Sequence, residues 1–271
     1  MSLTLCGKTA FITGGGGGIG GGIAHACVEA GMRVVLADID ADFAAAAARE
    51  LGDAALSVTL DVTSLDSWAS ARAIAEQWGG PIDVLCNNAG ISTPRLALEE
   101  VSPDLFARVM AINVTGVHNG IITFAAAMKA RGSGHIVNTS SMNGLTPFGS
   151  FGAYSASKFA VLGLSDALRE EMAPFGVGVS TLFPGLTRSR MAMDLNDGPA
   201  TSQEQLDALM PRMMDPMWTG RAVVRAIAAN APYIVTHPGY APLLAARHEA
   251  LLAAFGEPAQ PGYDTGQSAT R

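Results

Sequence analysis

The stretch Phe11–Gly22 reads FITGGGGGIGGG, with eight glycines in the nine positions from Gly14 to Gly22. It continues a strand-like run, KTAFIT (8–13), and leads into IAHACVEAG, whose Ile23, Ala26, Cys27 and Ala30 share one helical face. A glycine inside a helix costs about 1 kcal/mol relative to alanine, so glycines that run into a helical pattern need a reason. A strand-to-helix turn supplies one: there the backbone comes close to a dinucleotide pyrophosphate, and the helix N-terminal N–H groups face the anion. GxGxxG fits in two registers, from Gly15 or from Gly16, and is uninformative here. The tighter pattern is TGxxxGIG, made by Thr13, Gly14, Gly18, Ile19 and Gly20. Ile19 is expected to anchor the turn while Gly14, Gly18 and Gly20 admit the phosphates. The sequence assigns no role to Gly21 or Gly22.

Outward from this turn, strand-length apolar runs alternate with helical patterns. Further strands are expected at 32–38, 55–61, 82–87, 134–140, 177–183 and 232–236. Helices are expected near 20–30, 40–51, 65–78, 103–131, 153–174, 219–230 and 240–255. Strands that are β-branched and apolar without alternation belong to a parallel sheet covered on both faces. The expectation is an α/β chain: a single-domain, doubly wound, seven-stranded parallel sheet over residues 1–255. Residues 186–216, rich in Met, Pro and Arg, read as a substrate lid, and 256–271 as a C-terminal tail or an arm onto a neighbouring subunit.

Bulk properties narrow the function. The 271 residues are 49% hydrophobic and 15% charged, with a net charge of −7. Such an acidic chain lacks the basic surface that tracks nucleic-acid phosphates. Cys6, Cys27 and Cys86 show no CxxC spacing, and the five histidines are scattered, so neither a disulfide framework nor a metal site is expected. No charged head precedes an apolar run of signal length, and no uncharged apolar stretch of about 18 residues is evident. A cytoplasmic chain without membrane contact is expected.

The second strand ends VVLAD, which places Asp38 at its carboxyl end. A carboxylate there accepts hydrogen bonds from the adenosine ribose hydroxyls and repels a 2′-phosphate. Position 17 is glycine and position 39 isoleucine, so neither holds a cation for that phosphate. NAD is expected over NADP. Asp38 is also a candidate helix N-cap, a role that Asp40 fills equally well.

The chemistry-bearing residues come later. Tyr154 and Lys158 in AYSASKFAVLGL are four apart, which stacks them on one helical face. A tyrosine acting as a base near pH 7 needs its pKa lowered by about 3 units, roughly 4 kcal/mol, and a cation at about 4 Å supplies a contribution of that order. Ser141 ends a strand in HIVNTSSMNG, NNAG (87–90) follows another, and Asn113 lies in MAINVTG. The carboxyl ends of parallel strands are where α/β sheets bind ligands.

Taken in order, TGxxxGIG, NNAG, Asn113, Ser141, YxxxK and Pro184-Gly185 resemble the short-chain dehydrogenase/reductase family in its compact branch of about 250 residues, over residues 5 to about 240. The resemblance implies Tyr154 as general acid/base. Lys158 would hold the nicotinamide ribose and lower the tyrosine pKa, Ser141 would bond the reacting oxygen, and Asn113 would hold a water that passes the proton outward. It implies Asn87, Ala89 and Gly90 on the adenosine side, with Asp61 and Val62 at the adenine, although NNAG equally suits a role inside the sheet. PGLTRSRM departs from the family pattern: Thr187 stands where Val or Ile is usual, and Ser189 where Thr is. Backbone groups at 187 and the hydroxyl at 189 still serve the nicotinamide side, with Pro184 and Gly185. Arg188 and Arg190 read as solvated lid charges rather than an anion clamp.

For the substrate, six of the twelve methionines fall at 191, 193, 210, 213, 214 and 217, and Phe148 and Phe151 lie between Ser141 and Tyr154. Methionine suits a deformable apolar surface, though these residues equally suit packing within a lid. Ser141, Asn143, Phe148, Phe151, Tyr154 and Met191 are the candidate substrate contacts, and an apolar or aromatic secondary alcohol or its ketone is expected. NVTGVHNGIITFAAAM and YIVTHPGYAPLLAARHEALLAAF are similar to bacterial dehydrogenases of lignin-derived aryl alcohols. An NADPH-dependent ketone reductase and a non-catalytic NAD-binding protein are the rival readings. The family resemblance further implies a homotetramer, with a dimer as the alternative.

Overall fold

The computed structural model describes residues 4–191 and 210–256. Most of the expected lid, including Met193, and the tail beyond Gly256 lie outside the described residues. Seven parallel strands form one sheet: β1 (Thr9–Thr13), β2 (Arg33–Asp38), β3 (Ala55–Thr59), β4 (Val84–Asn87), β5 (Gly134–Thr139), β6 (Val177–Phe183) and β7 (Tyr233–Val235). Their order is β3-β2-β1-β4-β5-β6-β7, which is the Rossmann arrangement. The strand order reverses between β1 and β4, and a crevice at that switch point is where such sheets take their ligands.

The helices are α1 (Gly18–Glu29), α2 (Ala41–Leu51), α3 (Leu65–Gly79), α4 (Pro103–Met110), α5 (Gly116–Arg131), α6 (Gly152–Met172), α7 (Pro216–Ala229) and α8 (Ala241–Leu252). Both sheet faces are covered, which explains why the strands do not alternate in hydropathy. Phe11, Val35 and Leu85 point to one core with Trp68, Phe124 and Met128. Their neighbours Ile12, Val34, Leu36, Val84 and Cys86 point to the other, with Ile23, Val223 and Ile227. Phe11 stacks on Trp68 with ring centroids 5.7 Å apart and tilts against Phe124 at 5.2 Å.

Two features depart from the sequence reading. First, the expected helix 103–131 is interrupted by a π-helical turn, Ala111–Thr115, that carries Asn113. Second, Pro103–Arg131 is after all long and apolar enough, by length and composition, to cross a membrane. Its buried residues Val109, Asn113, Val117, Asn119, Phe124 and Met128 identify it instead as a core helix. By compactness, one unit runs to His237 and a second begins at Pro238. The second contains α8, none of whose residues is buried.

Gly22 acquires a role here. A Cβ on Gly22 would lie 2.5 Å from the Pro216 carbonyl carbon, and one on Gly220 would lie 2.8 Å from the Ile23 nitrogen. The end of the glycine run is therefore the place where α1 and α7 cross backbone to backbone.

Candidate active site

The glycine turn is fixed by its neighbours. Gly14 and Gly18 adopt φ of +64° and +54°, a region that side chains rarely enter. The Thr13 hydroxyl accepts from the Asn88 and Ala89 N–H groups at 2.9 Å each, and the Asn88 amide donates to the Thr13 carbonyl at 3.0 Å. NNAG thus ties β4 to the turn. The side chain of Asn87 is buried, and its amide donates to Asn138 Oδ1 at 2.9 Å. The polar pair explains why an asparagine sits inside an apolar strand.

Asp38 occupies the end of β2 as expected. Its Oδ2 accepts from the Gly16 N–H at 3.1 Å and its Oδ1 from the Asp40 N–H at 3.2 Å. A carboxylate offers about four acceptor sites, so capacity remains for two ribose hydroxyls. Asp40, not Asp38, caps α2 by accepting from the Phe43 N–H at 3.0 Å. Asp61 is turned onto Thr63, accepting from its N–H at 2.9 Å and its hydroxyl at 2.7 Å. The Val62 carbonyl is held by Trp68 and Asn119, each at 3.0 Å.

Four side chains from three elements converge beyond the ends of β4 and β5. Tyr154, in the first turn of α6, lies beside Ser141 at the end of β5, close enough for the serine to act on its titration. Ser141 Oγ also accepts from the Asn143 N–H at 3.1 Å. Lys158 lies one turn along α6, its Nζ 5.6 Å from the Tyr154 ring centroid and donating to the Thr139 carbonyl at 2.9 Å. Asn113 is fully buried; its amide donates to the Ile91 carbonyl at 2.9 Å and to Ser157 Oγ at 3.0 Å, and its Oδ1 accepts from the Ile91 N–H at 2.8 Å. Ser157 in turn donates to the Tyr154 carbonyl at 2.7 Å. Gly90 stands over this group: a Cβ there would lie 3.0 Å from Asn113 Oδ1 and 3.4 Å from Lys158 Nζ.

Burial dominates the electrostatics of the pair. Burial holds the Tyr154 phenol above its ordinary range, with the Ser141 hydrogen bond pulling the other way. Burial also pushes the Lys158 ammonium down to about 8. Lys158 gives one of its three N–H groups to the Thr139 carbonyl, and desolvation disfavours the charged form of both groups.

The segment after β6 closes the site. The Pro184 carbonyl accepts from the Met142 N–H at 3.0 Å, and the Gly185 N–H donates to His237 Nδ1 at 3.1 Å. Thr187 is buried and pairs in parallel with Met214. Ser189 lies against Gly18, where a Cβ would come within 2.7 Å of its own Cβ. Arg188 and Arg190 are both in ion pairs: Arg188 is paired with Asp215, and Arg190 with Asp40 at 3.1 Å. Phe148 is exposed, while Phe151, Asn143 and Met191 are half-buried. No cluster of potential metal ligands occurs among the described residues. Sequence reasoning missed Ser157, Asn88 and Phe43, whose parts in the site depend on partners far away in the chain.

The model of the short chain dehydrogenase family matches residues 8–200. The chain belongs to that family. It is 37% identical over 236 residues to the galactitol 2-dehydrogenase (L-tagatose-forming) of Cereibacter sphaeroides, covering 85% of this chain and 91% of that one. It is similar to the C alpha-dehydrogenase of a Sphingobium strain at 31% over 247 residues, covering 85% and 81%, and this likeness bears out the resemblance to aryl-alcohol dehydrogenases. A short-chain dehydrogenase/reductase of Burkholderia phymatum, solved in complex with NAD, superposes with a TM-score of 0.83 at 30% identity over 95% of this chain and 99% of that one. The protein is thus an oxidoreductase acting on CH–OH donors or the corresponding carbonyls, built on a nucleotide-binding Rossmann fold.

Proposed function

We propose that this protein transfers a hydride between NAD and a secondary alcohol or ketone, with Tyr154 as acid/base and Ser141, Lys158 and Asn113 in support. The observation that carries the reading is the grouping of Tyr154 with Ser141 at the end of β5 and with a buried Lys158, whose Nζ is 5.6 Å from the Tyr154 ring centroid. The residues present suit a dinucleotide. The Gly14–Gly18 turn carries no side chains, α1 begins without a side-chain cap, and Asp38 retains acceptor capacity. Asp61, Val62, Ala89 and Gly90 would line the adenosine side, and Lys158, Pro184, Gly185, Thr187 and Ser189 the nicotinamide side. NAD supplies the hydride acceptor, or its reduced form the donor.

In the reducing direction the phenol of Tyr154 donates its proton to the carbonyl oxygen, which the Ser141 hydroxyl holds in line. In the oxidising direction the phenolate takes the hydroxyl proton back. Ser141 is oriented by the Asn143 N–H, and a fixed donor of this kind stabilises charge that develops on oxygen. The Asn113 side chain has its hydrogen bonds made within the protein, so it sets the positions of Ile91 and Ser157. Any water that it holds on a proton route would bind its main chain. The substrate proposed is apolar or aromatic, on the strength of Phe148, Phe151 and Met191. A homotetrameric, cytoplasmic enzyme belongs to the same reading.

Tyr154→Phe tests it. Turnover is expected to fall by about 10²–10⁴-fold, the usual range for an acid/base group, with NAD binding retained. Turnover comparable to that of the wild type would end the assignment. Kinetics on aryl carbinols, galactitol and short aliphatic alcohols separate the substrate classes; a preference for the polyol would discard the apolar one.

A further inference from the structure

The glycine run is longer than a phosphate-binding turn requires, and Phe43 explains the surplus. A Cβ on Gly17 would lie 2.5 Å from Phe43 Cζ, and one on Gly16 would lie 2.9 Å from Phe43 Cγ. The aromatic ring fills the space that side chains at 16 and 17 would take. Its other face is covered by Arg190, whose guanidinium carbon is 3.5 Å from the ring centroid and whose Nη1 is 3.1 Å from Asp40 Oδ2. A guanidinium so close over a ring is held by the negative aromatic face as well as by the carboxylate. Asp40 is joined to Asp38 through its own N–H at 3.2 Å. One edge of the cleft therefore carries two carboxylates against one guanidinium, and that guanidinium is already engaged.

We propose that Phe43, Asp40 and Arg190 form a selectivity wall at the adenosine end that excludes a ribose 2′-phosphate, an inference that rests on the NAD reading above. Phe43 bars by volume the position just before Gly18, where a cation would otherwise meet that phosphate. Asp40 neutralises Arg190, the basic residue near enough to take its place. Selectivity of this kind works against the wrong ligand rather than for the right one.

Calorimetric dissociation constants for NAD⁺ and NADP⁺ test the wall, read as the NADP⁺/NAD⁺ ratio. Asp40→Asn preserves the helix cap, because asparagine caps as well as aspartate. It is expected to lower the ratio about tenfold by releasing Arg190, and adding Arg190→Ala should abolish that gain. Phe43→Ala combined with Gly17→Arg, which places a cation where the ring stood, should lower the ratio in the same direction, and Phe43→Leu with Gly17→Arg takes its place should the alanine protein fail to fold. Ratios within twofold of wild type in both Asp40→Asn and the folded Phe43 variant would overturn the wall. A wild-type protein that binds NADP⁺ the more tightly would overturn the NAD reading, and the wall with it.

Discussion

At the residue scale, burial governs the titrating groups. Burial raises the Tyr154 pKa, so the neutral phenol is favoured near neutral pH. Alcohol oxidation, which needs the phenolate, should therefore gain in kcat/KM as pH rises past neutrality, while ketone reduction, which needs the phenol, should not. Lys158, lowered to about 8, loses its charge within the same window, so the oxidative profile should bend there. An oxidative profile that is flat from pH 6 to 10 would contradict this. His135 gives a stability prediction. It is buried beside Ser180 at 2.8 Å, and burial lowers its pKa to about 4. The ring is neutral in the native state but takes up a proton on unfolding below about pH 6.5. Its contribution is present above that value and is lost as pH falls toward 4, amounting to about 2 kcal/mol at pH 5. In urea titrations at pH 7 and pH 5, His135→Gln should show a smaller acid-induced loss than wild type. An equal loss would remove His135 from the acid response.

At the scale of elements, neighbouring glycines in α1 have opposite consequences. Gly21 faces open space, with nothing within 4 Å of an added Cβ. Gly21→Ala should stabilise the protein by about 0.5–1 kcal/mol through helix propensity alone. Gly22 faces the α7 backbone at Pro216, where an added methyl must push two helices apart. Gly22→Ala should destabilise by about 1–3 kcal/mol, the usual cost of overpacking. Denaturant midpoints of the two variants measure both, and a shared sign would refute the crossing. The π-helical turn at Ala111–Thr115 is the other local device. Turns of this type concentrate at functional sites, and this one carries Asn113. The sequence MAINVTG does not show it, because the extra residue per turn is imposed by partners at Ile91 and Ser157.

At the scale of the whole molecule, ligand binding reports on the cleft between the two halves of the sheet. A ligand at 100 times its Kd stabilises a fold by about 2.7 kcal/mol. Thermal melting with NAD⁺ and NADP⁺ at equal concentrations should therefore give the larger shift with NAD⁺. A larger shift with NADP⁺ would show that the acidic edge at Asp38 and Asp40 does not govern cofactor choice.

Much of this was readable from the chain itself. Strand and helix positions follow from hydrophobic period and from the turn at Thr13–Gly20, since both are local properties of covalent sequence. The convergence of Asn113, Ser141, Tyr154 and Lys158 was expected by resemblance. What the sequence could not carry were the quantities set by distant neighbours. Among these are the hydrogen bond from Lys158 to the Thr139 carbonyl, the burial that raises the Tyr154 phenol, and the pairing of Asn87 with Asn138. The same holds for the Gly22–Pro216 crossing and for Phe43 beneath Arg190. Spacing along a chain decides which face a side chain occupies, whereas desolvation and close packing depend on what folds against that face.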